Sequence, residues 1–370
     1  MVFKEYFARL KTLFMKPPKF LVPSTPFFSE LRKRINAHFV EVESKPTGGL
    51  QLYLKAGIIL TCFIAVYVHV VFFTSPYILL SLIECMLLGV ATAAIGFNIM
   101  HDGAHGSFSK KAWINELAGL SLNVFGANVF MWKSKHNVIH HSFTNIEGLD
   151  DDIDAKPFLR LCDNQKKYQI HRFQHLYFWL VYAFLYLYWI FFTDYKKYFT
   201  GKVGQLTIKK MSLLDHLTFW GFKLSHVFLF IAMPIYLVGF LPWFIGFMTY
   251  AFCTGFIMSI VFQLAHTVED THFPMVDTAT GVLEDEWALH QLKTTTNFAT
   301  KNKIVSWLSG GLNFQIEHHL FPQISHIHYP AISEIVKQVC LEHGILYNEF
   351  SNVRFAVASH ITHLKKMGVH

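Results

Sequence analysis

Apolar residues in this chain fall into long, nearly continuous runs, not into the alternation of a strand or the one-sided stripe of a surface helix. The runs at 56–73 and 77–100 are 18 and 24 residues long and join at Pro76. At about 1.5 Å per residue each can cross the hydrocarbon of a bilayer, so the pair predicts a helical hairpin. A second pair, 224–240 and 243–265, meets at Leu241 and Pro242. Neither connector carries a Lys or Arg, which places both outside and the chain between the hairpins inside.

Two further apolar stretches do not fit that count. Residues 113–132 are diluted by Asn115, Glu116, Asn123, Asn128 and two glycines, as befits a re-entrant or interfacial segment. The stretch 176–192 is only 17 residues long and rich in Tyr and Trp, with His171, Arg172 and His175 before it and Lys196 and Lys197 after it. Both its ends therefore belong on the inner side. The expected fold is all-α and integral to the membrane, with four transmembrane helices in two hairpins under a helical cytoplasmic cap. By segment, that is a cytoplasmic 1–50, a membrane region 51–265 interrupted by a cytoplasmic insert at 101–223, and a cytoplasmic 266–370. A further helix is expected at 331–341, and no strand pattern is strong enough to assign.

Composition agrees: 52% of the 370 residues are apolar, 16% aromatic and only 15% charged, which describes a multi-pass membrane protein. Thirty-two Lys and Arg against 25 Asp and Glu give a formal charge of +7, suited to an anionic inner leaflet or an acidic partner. Nucleic acid is excluded as a partner, because no basic, aromatic-interleaved module carries that charge. Cys62, Cys85, Cys162, Cys253 and Cys340 are scattered without a CxxC and read as reduced thiols. Residues 1–46 hold nine Lys or Arg against four acidic residues, with no apolar signal core or cleavage site, so the N-terminus is expected to stay inside.

Histidines change the picture. His101 and His105 follow the second run, His136, His140 and His141 lie in the insert, His318 and His319 lie in the last third, and His266 ends the fourth run. If these clusters share one site, an odd number of crossings between them is forbidden, which is why neither extra stretch can span. His101 and His105 are one helical turn apart on one face. So are His136 and His140, while His141 points about 100° away, so that one helix can serve two metals. The adjacent His318 and His319 diverge in the same way, with Gln315 a turn back. Cys-rich structural zinc spacing and HExxH are both absent, and only one Glu-x-x-His match exists, Glu269 to His272, where a carboxylate di-iron bundle needs two. An all-imidazole two-metal centre is left, and imidazole suits Fe, Cu or Zn; redox work on an apolar chain favours iron. Asp102, Glu147, Asp150, Asp151, Asp152, Asp154 and Glu317 are placed to orient imidazoles from behind, although 150–154 reads equally well as a solvated turn. Asn313, His326 and His328 flank the last cluster and are expected to hold local backbone, Asn313 also standing with Asp102 as a candidate behind the ligands. His272 and His290 are weaker alternatives to His266.

The motifs HDGAH at 101–105, HNVIHH at 136–141 and QIEHH at 315–319 resemble the three histidine boxes of the membrane fatty acid desaturases. The run GGLNFQIEHHLFP at 310–322, opening its box with Gln, is similar to the front-end subgroup, which inserts double bonds toward the carboxyl end. The resemblance spans roughly residues 28–350. It implies a non-haem centre of two Fe, O₂ as co-substrate and two electrons per turnover. Its catalytic and metal-binding residues would be His101, His105, His136, His140, His141, His266, His318 and His319, with Gln315 in the place of a ligand histidine as a weak ligand or a group behind one. The substrate would be a fatty acyl-CoA, slightly preferred, or an acyl-lipid entering from the leaflet. No HPGG haem motif is present and the N-terminal segment is short for a fused cytochrome b5, so electrons are expected from a separate donor of cytochrome b5 or ferredoxin type, as in bacterial members working at the inner membrane. Lipid hydroxylases and sphingolipid desaturases share these boxes. A membrane metal or haem carrier would instead place histidines within the spans, as only His69 and His226 are placed.

Overall fold

The four apolar runs fold as helices Gly49–Phe72, Ile78–His105, Leu213–Val238 and Phe240–His266, each long and apolar enough to cross a membrane. A computed structural model describes residues 17–21, 25–277 and 279–369. The first sixteen residues of the basic N-terminal segment thus lie outside the described residues. Only 22–39% of each span's most apolar window is buried within the protein, so most of each helix is left to face lipid. The fourth span packs along the second. Ile59, Phe63, Leu88, Phe125, Phe230 and Tyr250 meet in the core between the spans.

Two of the spans contain a turn of π-helix. In the third, at Phe228–Ala232, it leads into Pro234, whose missing N–H the ladder has to accommodate. In the second, Gly96–Met100, it stands directly before His101. The second and fourth spans run beyond their apolar stretches and carry His101, His105 and His266 on their last turns.

The stretch expected at 176–192 covers the end of one arm and the start of the other in a bent pair, Gln169–Ala183 and Leu185–Thr200, set at 58° to each other. Were it to cross, three spans would separate the second histidine motif from His266. The His140 and His266 ring centroids are 4.9 Å apart, so the pair does not cross. Its exposed Leu176, Trp179, Leu180, Phe184, Tyr188 and Phe192 suit the bilayer surface. The fourth span meets its bend through Gly255, where a Cβ would stand 3.0 Å from the Ala183 carbonyl carbon and from the Tyr186 nitrogen. The stretch 113–132 forms helix Ala112–Val124 and a short helix Val129–Lys133, packed against the end of the second span and the start of the third. Lys223 fastens this corner, its Nζ donating to the carbonyls of Gly126 (2.5 Å) and Ile190 (2.8 Å) beside the Asp194 carboxylate (3.3 Å).

All remaining helices gather at the end of the bundle where the second and fourth spans finish. The amphipathic helix Pro26–Glu41 buries Phe27, Leu31, Ile35 and Phe39, spaced every four residues, against Ile332, Val336 and Val339 of Tyr329–Glu342, the helix expected at 331–341. Full burial of one such side chain is worth about 1.5–3 kcal/mol. A last helix, Val353–Val369, packs on Gln169–Ala183. Among the described residues, strands are limited to three two-residue pairs; one, Asn297–Phe298 with Glu349–Phe350, runs parallel beside the site.

Candidate metal centre

Each histidine motif sits on a helix end whose local conformation aims it. The second span stops at Gly106, whose φ of 78° a glycine adopts without strain, leaving His101 and His105 on the final turn with ring centroids 4.7 Å apart. For the second motif, the Asn128 side chain caps the helix start by accepting from the Met131 N–H (3.1 Å), and the chain then winds as π-helix over Ser134–His140. The third motif occupies the short helix Gln315–Leu320 after Gly310 and Gly311, both at positive φ. Gly310 lies on the Phe97 carbonyl so closely that a Cβ would come within 2.7 Å of its carbon, and Asn98 Nδ2 donates to the Leu308 carbonyl (3.0 Å). The third motif is thereby fixed to the π turn that precedes the first.

The π turn corrects one sequence expectation. In an α-helix His141 would face away from the side that His136 shares with His140. With the looser winding, position i+5 returns to nearly the same side, and the Nε2 atoms of His136 and His141 are 3.2 Å apart.

The eight imidazoles are brought together, all fully buried except His105, which is partly so. Ligand-type atoms of His101, His105, His136 and His318 lie within 4.8 Å of one another, as do those of His140, His266 and His319. His141 joins His318 and His319 in a third such group, bridging the first two. Trp132 stacks on His136 with centroids 4.3 Å apart, and Phe262 lies 4.6 Å from His266, so aromatic faces wall both sides against water.

Behind the rings stand acceptors. His140 Nδ1 is 3.0 Å from Asp150 Oδ2, His266 Nδ1 is 3.2 Å from the Thr294 carbonyl, and His319 Nδ1 is 2.8 Å from Gln291 Oε1. A carboxylate and two carbonyl oxygens can only accept, so each Nδ1 carries the proton and each Nε2 presents a lone pair inward. The His140 and His319 Nε2 atoms then face each other at 3.3 Å, which only a proton or a metal ion between them can satisfy. In the other group the buried Nε2 atoms of His101, His105 and His318 have no hydrogen-bond partner among the described residues. These orphaned nitrogens fit a metal. Burial, reinforced by neighbouring imidazoles, holds His136, His141, His318 and His319 well below the ordinary histidine pKa, in the neutral form that binds metal. Burial acts on His140 in the same direction, but Asp150 and Asp152 outweigh it and raise its pKa.

Gln315 lies inside the second group, its Nε2 donating to His266 Nε2 at 2.9 Å. That lone pair is the one a metal would take, so amide and ion compete for it. Of the carboxylates considered, Asp150 reaches a box histidine, with Asp152 at 3.6 Å from the same ring. Glu147 and Asp154 pair with Lys156, and Asp151 with Lys197. Glu317 accepts from Asn297 and Tyr347, and burial pushes its carboxyl up to about 7.

Asp102 and Asn313 do not stand behind a box histidine by hydrogen bonding. Asp102 accepts from Ser325 Oγ (2.6 Å) and from the His326 backbone N–H (3.4 Å), the His326 ring lies beside it with Nδ1 3.0 Å away, and Lys55 Nζ meets the far nitrogen of that ring at 3.0 Å. This buried chain ties the first motif to the segment after the third. Asn313 donates to Ser306 Oγ (3.0 Å) and stiffens the loop before the third motif. His272, His290 and His328 belong to none of the groups, His69 pairs with Glu84 (3.0 Å), and His226 lies 3.4 Å from the Val124 carbonyl. Gln291, Thr294, Tyr329, Trp132 and Phe262 were not singled out by sequence. Trp132 and Phe262 each lie four residues, about one helical turn, before His136 and His266, a spacing that could have pointed to them, whereas Tyr329, whose hydroxyl is 3.1 Å from His318 Nδ1, lies ten residues beyond His319.

The fatty acid desaturase family profile matches residues 75–351. The chain is 38% identical over 349 residues to the sn-1 linoleoyl-lipid 6-desaturase of Arthrospira platensis, covering 94% of each. To the enzyme of the same name from Synechocystis it is 35% identical, covering 91% of this chain and 94% of the relative. To the acyl-lipid (8-3)-desaturase of Physcomitrium patens it is 36% identical, covering 93% of this chain and 72% of the relative. Four membrane-sized helices, convergent histidine motifs and near full-length likeness agree, and the chain belongs to the fatty acid desaturase family.

Proposed function

We propose that this protein is a front-end acyl-lipid desaturase that introduces a cis double bond at the sixth carbon of a linoleoyl chain held in a membrane glycerolipid. The observation that carries the reading is the convergence of eight buried imidazoles in overlapping groups at the ends of two membrane spans. Two relatives named as sn-1 linoleoyl-lipid 6-desaturases, alike over nearly their whole length, move the substrate preference from acyl-CoA to acyl-lipid.

In this reading His101, His105, His136 and His318 hold one iron, His140, His266 and His319 hold the other, and His141 stands between them. Gln315 holds the space beside His266. Iron bound there supplies, with O₂ and two electrons, the oxidising power to break an unactivated methylene C–H bond, which side-chain acids and bases lack. The protein's own part is positioning and dryness. Asp150, Thr294 and Gln291 fix the tautomer and direction of three imidazoles. Trp132 and Phe262 keep water from the rings. The lipid-facing spans let the acyl chain approach without leaving the apolar phase. The absence of Lys and Arg from both hairpin connectors supports a cytoplasmic site, open to a separate cytochrome b5 or ferredoxin-type donor.

Expression in a host that makes linoleate but no 6-desaturated acids, followed by double-bond localisation within each lipid class, tests the proposal. A new cis bond at carbon six of glycerolipid-bound chains, abolished in His140→Ala and His318→Ala, is expected. A hydroxylated product, a bond elsewhere, or activity unaffected by both variants would refute it.

A further inference from the structure

We infer that the two metal positions are unequal: the position framed by His140, His266 and His319 retains its ion, while the one framed by His101, His105, His136 and His318 exchanges it readily. The inference rests on the two-metal reading above and concerns what stands behind the rings.

At the first position every imidazole donates its outer N–H to a fixed acceptor. Asp150 is buried and already committed, its oxygens accepting the backbone N–H groups of Asn145 (2.9 Å) and Asp152 (3.0 Å) as well as His140. Gln291 is fully buried, and Thr144 Oγ1 donates to its Oε1 at 3.0 Å while accounting for the other side of that oxygen. The Thr294 carbonyl belongs to the last turn of helix Trp287–Thr294 and cannot swing. An imidazole that donates to such an acceptor is oriented and made more basic toward metal, most of all when the acceptor is an anion.

At the second position the support is thin. Among the described residues no carboxylate or carbonyl accepts from His101, His105 or His136. His318 has only the Tyr329 hydroxyl, a neutral group free to donate or accept. The nearby Asp102 is spent on Ser325 and His326. His141 Nδ1, between the positions, has no partner. Three imidazoles on one side and four on the other thus meet unequal electrostatic backing, and a buried anion is hydrogen-bonded to a ligand ring on the three-imidazole side only.

The test uses the full chain in lipid nanodiscs, loaded anaerobically with Fe(II) and challenged with a ferrous chelator while release is followed by absorbance. Two equivalents should leave in two phases, one slower by about 10–100-fold, the range that outer partners command. Asp150→Asn should speed the slow phase and leave the fast one alone. Should that variant fold poorly, Gln291→Leu, which removes an acceptor but no backbone contact, should speed the slow phase, and Gln291→Glu should slow it further. Two equivalents leaving in one phase would overturn the inference while the two-metal reading stands, as would an effect of Asp150→Asn or of the Gln291 variants on the fast phase. Failure to retain two equivalents under any loading condition would instead sink the two-metal reading and the inference with it.

Discussion

Replacing Gly310 by Ala should cripple the enzyme by moving one histidine motif against another without touching a histidine. Gly310 has a φ of 59°, and its built Cβ meets the Phe97 carbonyl carbon at 2.7 Å and the Asn98 nitrogen at 3.1 Å, with the Phe97 carbonyl oxygen closer still. These atoms belong to backbone of the second span, so no flexible side chain can yield. A left-handed alanine alone costs about 1–2 kcal/mol. Relieving the contact also displaces the chain leading to His318 from the turn leading to His101 by on the order of 0.5 Å, the tolerance within which a catalytic constellation must be held. A misplacement approaching 1 Å can cost about 100-fold in rate, so a loss of roughly 10–100-fold in desaturation per unit of protein is expected. Gly281→Ala is the control, since Gly281 has a similar φ of 71° but nothing within 4 Å of its Cβ. Conversion of linoleoyl lipid, normalised to protein and read beside the thermal midpoint in detergent, separates strain from displacement. Should Gly310→Ala lose no more activity than Gly281→Ala, the idea that this contact sets the spacing of the motifs is wrong.

Lys223→Met should destabilise by about 3–5 kcal/mol, because it leaves the buried Asp194 carboxylate without its cation, and Lys223→Met with Asp194→Leu should recover much of that in a detergent melt. His360 is buried, donating from Nδ1 to the Thr267 carbonyl (2.6 Å) with Tyr182 Oη 2.8 Å from Nε2, and burial lowers its pKa to about 4. Its contribution is therefore full above the ordinary pKa of 6.5 and falls, as pH drops toward 4, by up to about 1.4 kcal/mol per unit. Melting of the wild type between pH 7 and 5 should fall more steeply than that of His360→Gln, and parallel profiles would contradict the sign. Trp179, 54% exposed on the bent pair, should be quenched by lipids brominated high on the acyl chain when other tryptophans are replaced by Phe; insensitivity to them would remove this pair from the bilayer surface.

The spans were legible because length and hydropathy alone decide whether a helix can cross a bilayer, and the parity of crossings was legible because the histidines had to meet. The bend near Phe184 was not, since it depends on Gly255 admitting the backbone of another helix. Box histidines stood out through spacing on helix ends, yet the direction of His141 did not, because the 3.6-residue period does not hold across a segment that winds as π-helix. The acceptors behind the rings divide the same way. Asp150 was visible as one of a run of carboxylates, whereas Gln291 and the Thr294 carbonyl reach the site through the tertiary approach of helix Trp287–Thr294, and no local pattern marks them. Asp102, adjacent to His101 in sequence, pointed instead to Ser325 and His326.

The π turn at Gly96–Met100 uncouples two demands made on one helix. Upstream of it, the second span must show its apolar stripe to lipid and to the fourth span; downstream, it must turn two imidazoles toward a cluster. A plain α-helix would lock those directions together at about 100° per residue. One extra residue in the turn works as a clutch between them, so each half can be rotated to its own purpose. Removing a residue such as Ile99 would leave a span of almost unchanged length and hydropathy, inserted as before, with both of its histidines swung out of reach of the others.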